Sequence, residues 1–459
     1  MPPARPCPLP PVDSCAAAPA SRPASRCGGG ATPLDATDAI APQVPPAHAQ
    51  ANARPSSGEH SVPSSAHRRR APRGCDARTV TSAESSTHTD LLVVGAGIVG
   101  LAHAFEAAGR DLTVRVIERD ERPVGASVRN FGHVCTTPQA DGDHPLALDS
   151  RDGWLAMSAA TGIAVARAGT LVVARRPEEL AVLDELQRTR GPERVRLLTG
   201  DQVRSRIRGT RAAGGESASG GALLPDDLSV DPRTAAPALA RWLSAHERVH
   251  LLTRTAVTGA GGGRVETPRG TFTADHVVVC VGHDLDRLFP DLARRWRIRR
   301  CALQMMLTAP VDGYDNPSPV LTGTSMLRYG AMSATDAAGA LRRAIAAEQP
   351  ELLHIDANAM FSRRPDGGLI VGDSHVRAHT VDPFLDEDVY GPLVDSAADI
   401  LRPTTPLRVR QRWQGVYASS DDTNLVHERL DDATTVAVVT SGIGMTLSFG
   451  IARRTLAEL

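Results

Sequence analysis

Four short apolar runs set the framework of the chain. The first, Leu91-Leu92-Val93-Val94, is apolar at consecutive positions, as in a parallel strand covered on both faces. Gly95-Ala96-Gly97-Ile98-Val99-Gly100 follows and opens a helical stretch from Leu101 to Ala108, which Gly109 is expected to end. Thr113 to Ile117 predicts a second strand that finishes at Glu118, so the three pieces read as a βαβ unit. The third run, Val277 to Gly282, lies far downstream. The fourth, Thr435 to Val439, leads through Ser441-Gly442-Ile443-Gly444 into a predicted helix from Met445 to Leu459.

The sequence between these runs has another period. Cys301, Leu303, Met305 and Leu307 recur with period two, as in a half-buried antiparallel strand. Ala357 to Ser362 and Gly368 to Asp373 flank Arg363-Arg364-Pro365-Asp366-Gly367, a hairpin signal. The pattern predicts an α/β fold. A Rossmann-like nucleotide domain is assembled from discontinuous segments (88–145, 230–290 and 433–459). An inserted α+β substrate domain with an antiparallel sheet takes 146–229 and 291–432.

Residues 1–87 differ in kind. They hold 15 of the 34 Pro and no aromatic residue. Such a segment cannot bury enough apolar surface to offset its ordering entropy and is expected to be disordered. It is either a genuine tail or upstream sequence translated from a misassigned start, the reading we favour. A true start would then need a non-AUG codon, for instance at Val80, because no Met stands between Met1 and Met157.

Composition narrows the chemistry. The formal net charge is −1, which supplies no broad basic field for nucleic acid or a membrane surface. All 51 basic residues are Arg. The absence of Lys removes Schiff-base catalysis, hence pyridoxal-phosphate chemistry and class I aldolases, and also a P-loop. Of 7 Cys, four (Cys7, Cys15, Cys27, Cys75) precede the body, no CxxC occurs, and no metal site is expected. The usage suits a reducing, cytoplasmic compartment. No apolar run approaches the roughly 18 residues of a membrane span. The Pro-broken start lacks the apolar core of a signal peptide, and the polar stretch after Arg68-Arg69-Arg70 argues against a twin-Arg signal.

In Gly95-x-Gly97-x-x-Gly100 the first Gly permits the tight turn, the second lets a pyrophosphate approach the backbone, and the third lets helix and strand pack closely. The helix N-terminus offers free N–H groups to the phosphates. Glu118, 18 residues after the last Gly, can accept both ribose hydroxyls and disfavours a 2′-phosphate. Ile98, Val99 and Arg119 join these residues as candidate cofactor contacts.

Two further stretches separate FAD from NAD. Gly125-Ala126-Ser127-Val128-Arg129-Asn130-Phe131-Gly132-His133 resembles the segment that lies along the flavin in the D-amino-acid, glycine and sarcosine oxidase (DAO) family. Ser441-Gly442-Ile443-Gly444-Met445-Thr446 resembles that family's closing loop, whose helix N-terminus faces the flavin N1–C2=O edge. The resemblance covers roughly residues 89–459 and implies an FAD-binding domain. Ser127, Arg129, Asn130, Val257, Gly282, Gly442, Gly444, Met445 and Thr446 then become cofactor contacts, with the backbone of Val257 towards adenine.

Leu327-Arg328-Tyr329, Gly372-Asp373-Ser374-His375, Arg412-Trp413-Gln414-Gly415-Val416-Tyr417 and Gly444 to Gly450 are similar to a subfamily associated with phosphonate degradation. That resemblance implies FAD-dependent oxidation of a small amine, foremost a relative of 2-aminoethylphosphonate. A neutral substrate amine gives hydride to flavin N5, the imine hydrolyses to an aldehyde and an amine or ammonia, and O2 is reduced to hydrogen peroxide. Arg suits a phosphonate dianion, so Arg328 beside Tyr329 is the first candidate, then Arg412 and His375. Each could equally be a strand, turn or packing residue. His133 is placed facing the flavin. Several relatives set a Lys over the flavin for the O2 step; here His133 or an Arg must serve, or the enzyme is a dehydrogenase with another acceptor. Cys135 reads as an ordinary buried Cys rather than a covalent flavin link. The alternatives are a D-amino-acid, glycine or sarcosine oxidase, and a non-enzymatic FAD-binding or tRNA-modification-type protein.

Overall fold

The computed structural model describes residues 88–208 and 218–459; the expectations for residues 1–87 lie outside them. β1 (His88–Val94) is central to the first sheet and is buried on both faces from Leu91 to Val94. It pairs in parallel with β2 (Val114–Ile117) on one side and with Gly270–Val279 on the other. Strand Val249–Leu252 extends the parallel array beyond β2, and Thr434–Val439 extends it beyond Gly270–Val279. Alternate residues of β1 fill two different cores. Leu91 and Val93 pack towards α1 (Ile98–Ala108), and Leu92 and Val94 towards Val277, Val279 and Leu285. That two-sided burial is why the run reads as unbroken apolar sequence.

α1 packs on the C-terminal helix, Gly444–Ala457, which packs in turn on His144–Thr161. The helix His144–Thr161 therefore belongs with the first sheet, not with the substrate segments where the boundary at residue 145 placed it. Trp154 and Phe449, both fully buried, lock it there through an edge-on ring contact at 5.1 Å, and Trp154 Nε1 donates to the Met445 carbonyl at 2.8 Å. Strand Leu425–Asp431 also joins the first sheet, antiparallel to Thr434–Val439, although the sequence boundary put residues up to 432 with the substrate side. Gly109 ends α1 as expected, as its C-cap with φ −68°, and Asp111 adopts positive φ two residues on.

The second sheet is antiparallel apart from the pairing of Val320–Leu321 with Thr170–Ala174. Its long strand Arg299–Thr308 pairs with Val409–Ser419, Leu369–Gly372 and Val376–Ala378. The expected hairpin forms as Met360–Arg363 against Leu369–Gly372. Arg299–Thr308 departs from the half-buried reading. Leu303 and Met305 enter one core and Met306 the other, because helix Tyr390–Leu401 covers the second face. No helix among the described residues is long and apolar enough to cross a membrane.

Candidate active site

A single cavity of about 800 Å³ runs from the first sheet to the second. At one end it is framed by β1, the glycine loop and Glu118. A Cβ at Gly95, whose φ is +101°, would come 2.7 Å from the Cys280 carbonyl oxygen, so only Gly fits. A Cβ at Gly97 would sit 3.3 Å from Ser127 Oγ. Ser127 Oγ accepts from the Ile98 N–H at 2.8 Å, satisfying one free donor at the start of α1. Glu118 is held by the loop it serves: Oε2 accepts from Ala96 N–H at 2.7 Å and Oε1 from Asp120 N–H at 2.9 Å. Arg119 is pinned by Asp284. Ile98, Val99, Val257 and Gly282 line the same end. Gly100 does not line the cavity. A Cβ there would fall 2.0 Å from the Gly95 carbonyl oxygen, so its task is the close packing of helix on strand.

The middle of the cavity is closed by the segment after β2 and by the C-terminal loop. Asn130 Oδ1 accepts from Gly132 N–H at 2.6 Å and its Nδ2 donates to the Ala126 carbonyl at 2.8 Å, which fixes that segment. Arg129 donates to the Gln414 carbonyl at 3.1 Å. Gly442, at φ +78°, lies so close to the Tyr417 ring that a Cβ would touch it at 3.1 Å. Gly444 and Met445 line the wall at the start of the C-terminal helix, and Thr446 Oγ1 accepts from Cys135 N–H at 3.1 Å.

The far end is built from side chains. Arg328, Tyr329, His375, Asp373, Asn358 and Tyr417 all line it. Arg328 pairs with Asp356 at 3.4 Å, and Asp356 also takes Arg377 at 2.7 Å. His375 Nδ1 lies 2.8 Å from the Asp356 carbonyl oxygen and must donate there, which leaves Nε2 as the acceptor, 3.8 Å from Asp373 Oδ2. Burial, then the Arg328 charge, hold His375 well below the usual imidazole range. Burial pushes the Tyr329 and Tyr417 hydroxyls well up, so both stay protonated donors. His133 also lines the cavity; its Nε2 is 2.6 Å from Thr170 Oγ1 and 3.6 Å from Asp227 Oδ2.

The sequence reading fails at Arg412. Its side chain pairs with Glu387 at 2.7 Å and lies over the Tyr390 ring at 4.7 Å, outside the cavity. The pleat decides this. Arg412 stands opposite Met306, whose side chain enters the core away from the site, whereas Trp413 stands opposite Met305. Asp227 was missed altogether. It is fully buried, and its Oδ1 accepts from Thr136 and Thr137 N–H at 2.9 and 2.8 Å. Nothing in its sequence sets it apart from Asp226 beside it. Asp373 was passed over within its motif, although an acid directly after the buried strand Leu369–Gly372 is a readable signal. Cys135 is buried with its thiol pushed well up by that burial, hence a neutral, unreactive group.

The glycine cradle, the fixed carboxylate and the cavity's volume fit an FAD molecule extended between the two sheets. The chain belongs to the FAD dependent oxidoreductase (DAO) family, whose model matches residues 90–459. Its cofactor is accordingly FAD. Monomeric sarcosine oxidase of Bacillus sp. (strain B-0618) is 25% identical over 206 residues, 43% of this chain and 52% of that protein. The matched stretch thus spans about half the length of that relative. Among solved structures, glycine oxidase from Geobacillus kaustophilus superposes with a TM-score of 0.63 at 22% identity, covering 81% of this chain and 95% of that one. L-proline dehydrogenase from P. horikoshii gives 0.64 at 20% identity, covering 80% and 92%. At these identities the structural likeness speaks to the fold.

Proposed function

We propose that this protein oxidises a carbon–nitrogen bond of a small anionic amine, foremost an aminophosphonate of the 2-aminoethylphosphonate type. The observation that carries this reading is Arg328, a guanidinium on the cavity wall beside Tyr329 whose ion pair, to Asp356 at 3.4 Å, is made with a carboxylate that does not line the cavity. Arg presents a planar set of fixed donors to phosphonate or carboxylate oxygens, and the cavity's low polarity strengthens each bond. Tyr329 and Tyr417 add protonated hydroxyls to the same wall. FAD held in this cavity would supply the acceptor for a hydride from the carbon beside the substrate nitrogen. The residues of this chain orient the substrate by its anion, keep water out, and face the amine with Asp373, His375 and His133. His133, buried beside Asp227 on the cavity wall of a chain without Lys, serves the O2 step in this reading.

The test is anaerobic bleaching of the purified flavoprotein by 2-aminoethylphosphonate and its N-alkyl relatives against glycine, sarcosine and D-alanine. An oxygen electrode then measures whether O2 reoxidises the flavin. Faster bleaching by the phosphonates supports the reading. Faster bleaching by glycine, sarcosine or D-alanine transfers Arg328 to a carboxylate. Spectral silence towards every amine overturns it.

A further inference from the structure

Among the described residues that line the substrate end of the cavity, Asp373 is the one carboxylate without an Arg partner. It is 4% exposed, yet it lines the cavity, and its Oδ1 has no hydrogen-bond partner. Arg328 makes its ion pair with Asp356 instead, and Arg377 does the same. Among the described residues no Arg lies within ion-pair distance of Asp373; its charged neighbour there is His375 Nε2 at 3.8 Å. A buried carboxylate without a cation is expensive unless a cation arrives from outside. A substrate ammonium is such a cation.

We propose that Asp373 binds the substrate's ammonium group and removes its proton, so that Arg328 and Asp373 together select short molecules with an anion at one end and an amine at the other. This rests on the amine-oxidation reading above. In the step, one N–H bond of R–CH2–NH3+ breaks, the proton forms an O–H bond on Asp373, and the electron pair remains on nitrogen as the lone pair that oxidation requires. The carboxylate loses its charge as the ammonium loses its own, so no net charge is created in the buried site.

The other groups facing Asp373 cannot take that role. Tyr329, Tyr417 and the thiol of Cys301 carry protons that burial makes harder to remove. Asp356 is held by two Arg and does not line the cavity. His375 donates its Nδ1 hydrogen to the Asp356 carbonyl, and burial, then the Arg328 charge, hold its Nε2 well below the usual imidazole range, a poor acceptor for an ammonium proton. Burial raises Asp373 to about 7, against the pull of Arg328 and Asn358 and with a small push from Asp356. A carboxylate so tuned is matched to proton transfer near neutral pH.

The experiment follows flavin reduction anaerobically across pH, with the amine that bleaches wild type fastest, in wild type and Asp373→Asn. Wild type should show an acid limb in kcat/KM near pH 7, with activity rising as Asp373 loses its proton. Asp373→Asn should be about 100-fold slower at neutral pH. Its limb should move to the alkaline ionisation of the substrate amine itself, and the deficit should shrink as pH rises. A variant that keeps the wild-type limb, or that is slower by one factor at every pH, overturns the proposal.

A second readout needs neither turnover nor a variant. The probe 2-amino-2-methylpropylphosphonate carries no hydrogen on the carbon beside nitrogen and cannot be oxidised. Its binding to the wild-type holoenzyme should add a protonated-carboxyl C=O band to the infrared difference spectrum. Absence of that band also overturns the proposal. If no amine reduces wild-type flavin, it is the amine-oxidation reading that has failed, and the assignment of Asp373 falls with it.

Discussion

At the glycine-loop end the cavity is lined by two stretches close in sequence, Val94 to Val99 and Ile117 to Asn130, together with Thr255 to Thr258 and Cys280 to Asp284. At the far end the lining is mostly polar side chains, and Arg328, Asn358, Tyr417 and the loop shared by Asp373 and His375 come from separate places in the chain. The first arrangement is fixed by local sterics: Gly95 must turn, Gly100 must let the helix approach, and Glu118 must end its strand. The second depends on strand register, because a one-residue slip would exchange the faces of Trp413 and Arg412. A nucleotide end built from stretches close in sequence serves many oxidoreductases; a substrate end built from side chains is where this chain becomes particular.

That contrast can be broken most severely at the glycine loop. Gly100→Val would drive side-chain atoms into the Gly95 carbonyl, already 2.0 Å from an ideal Cβ. The expected cost is about 3 kcal/mol or more. The purified protein should carry little flavin, read from the ratio of visible to protein absorbance. A fully yellow variant would show that the loop has slack.

Arg328→Ala should act only at the other end. Flavin content stays as in wild type, while kcat/KM for anionic amines falls by roughly 100-fold, about 3 kcal/mol. Loss of flavin together with activity would mean that Arg328 supports the fold rather than the substrate.

Acid should separate the two regions as well. His103, on α1, is fully buried, with Nδ1 2.8 Å from the Val99 carbonyl oxygen and Nε2 3.0 Å from Thr455 Oγ1 on the C-terminal helix. Burial lowers it from 6.5 to about 4. The unfolded chain therefore binds this proton first as pH falls. Stability present above pH 6.5 should be lost progressively towards pH 4, by up to about 3 kcal/mol. Denaturant titrations should show a flatter pH dependence for His103→Asn than for wild type. Equal slopes would remove His103 as the source.

Arg412→Ala is expected to do least. Its pair with Glu387 is exposed, and its ring contact with Tyr390 lies outside the cavity. Stability should change by less than about 1 kcal/mol, and kcat/KM should stay within about twofold. A loss comparable to that of Arg328→Ala would show that both Arg reach substrate.

The cofactor end was legible in sequence because each of its devices is local. A strand, a glycine turn, a helix and an acid at a fixed spacing are made by residues adjacent in the chain, and steric demands on Gly95 and Gly100 do not wait for distant partners. The second glycine loop, Ser441 to Gly444, was legible for the same reason. The far end was legible only in its residue types. Arg328 and Arg412 look alike in sequence, and the pleat opposite Met305 and Met306 sorted Trp413 from Arg412. Asp227 reaches His133 only because Leu228–Ser229 pairs with His133–Val134. The helix His144–Thr161 was assigned to the wrong side because its apolar face, Trp154 and Met157, could have served either sheet until Phe449 met it. The sequence by itself determined the strand, glycine turn and helix and the acid that ends the second strand, since these are matters of local backbone conformation. Only the tertiary structure decided which carboxylate is left unpaired beside Arg328, since that depends on which of Asp356 and Asp373 the folded chain gives to its arginines.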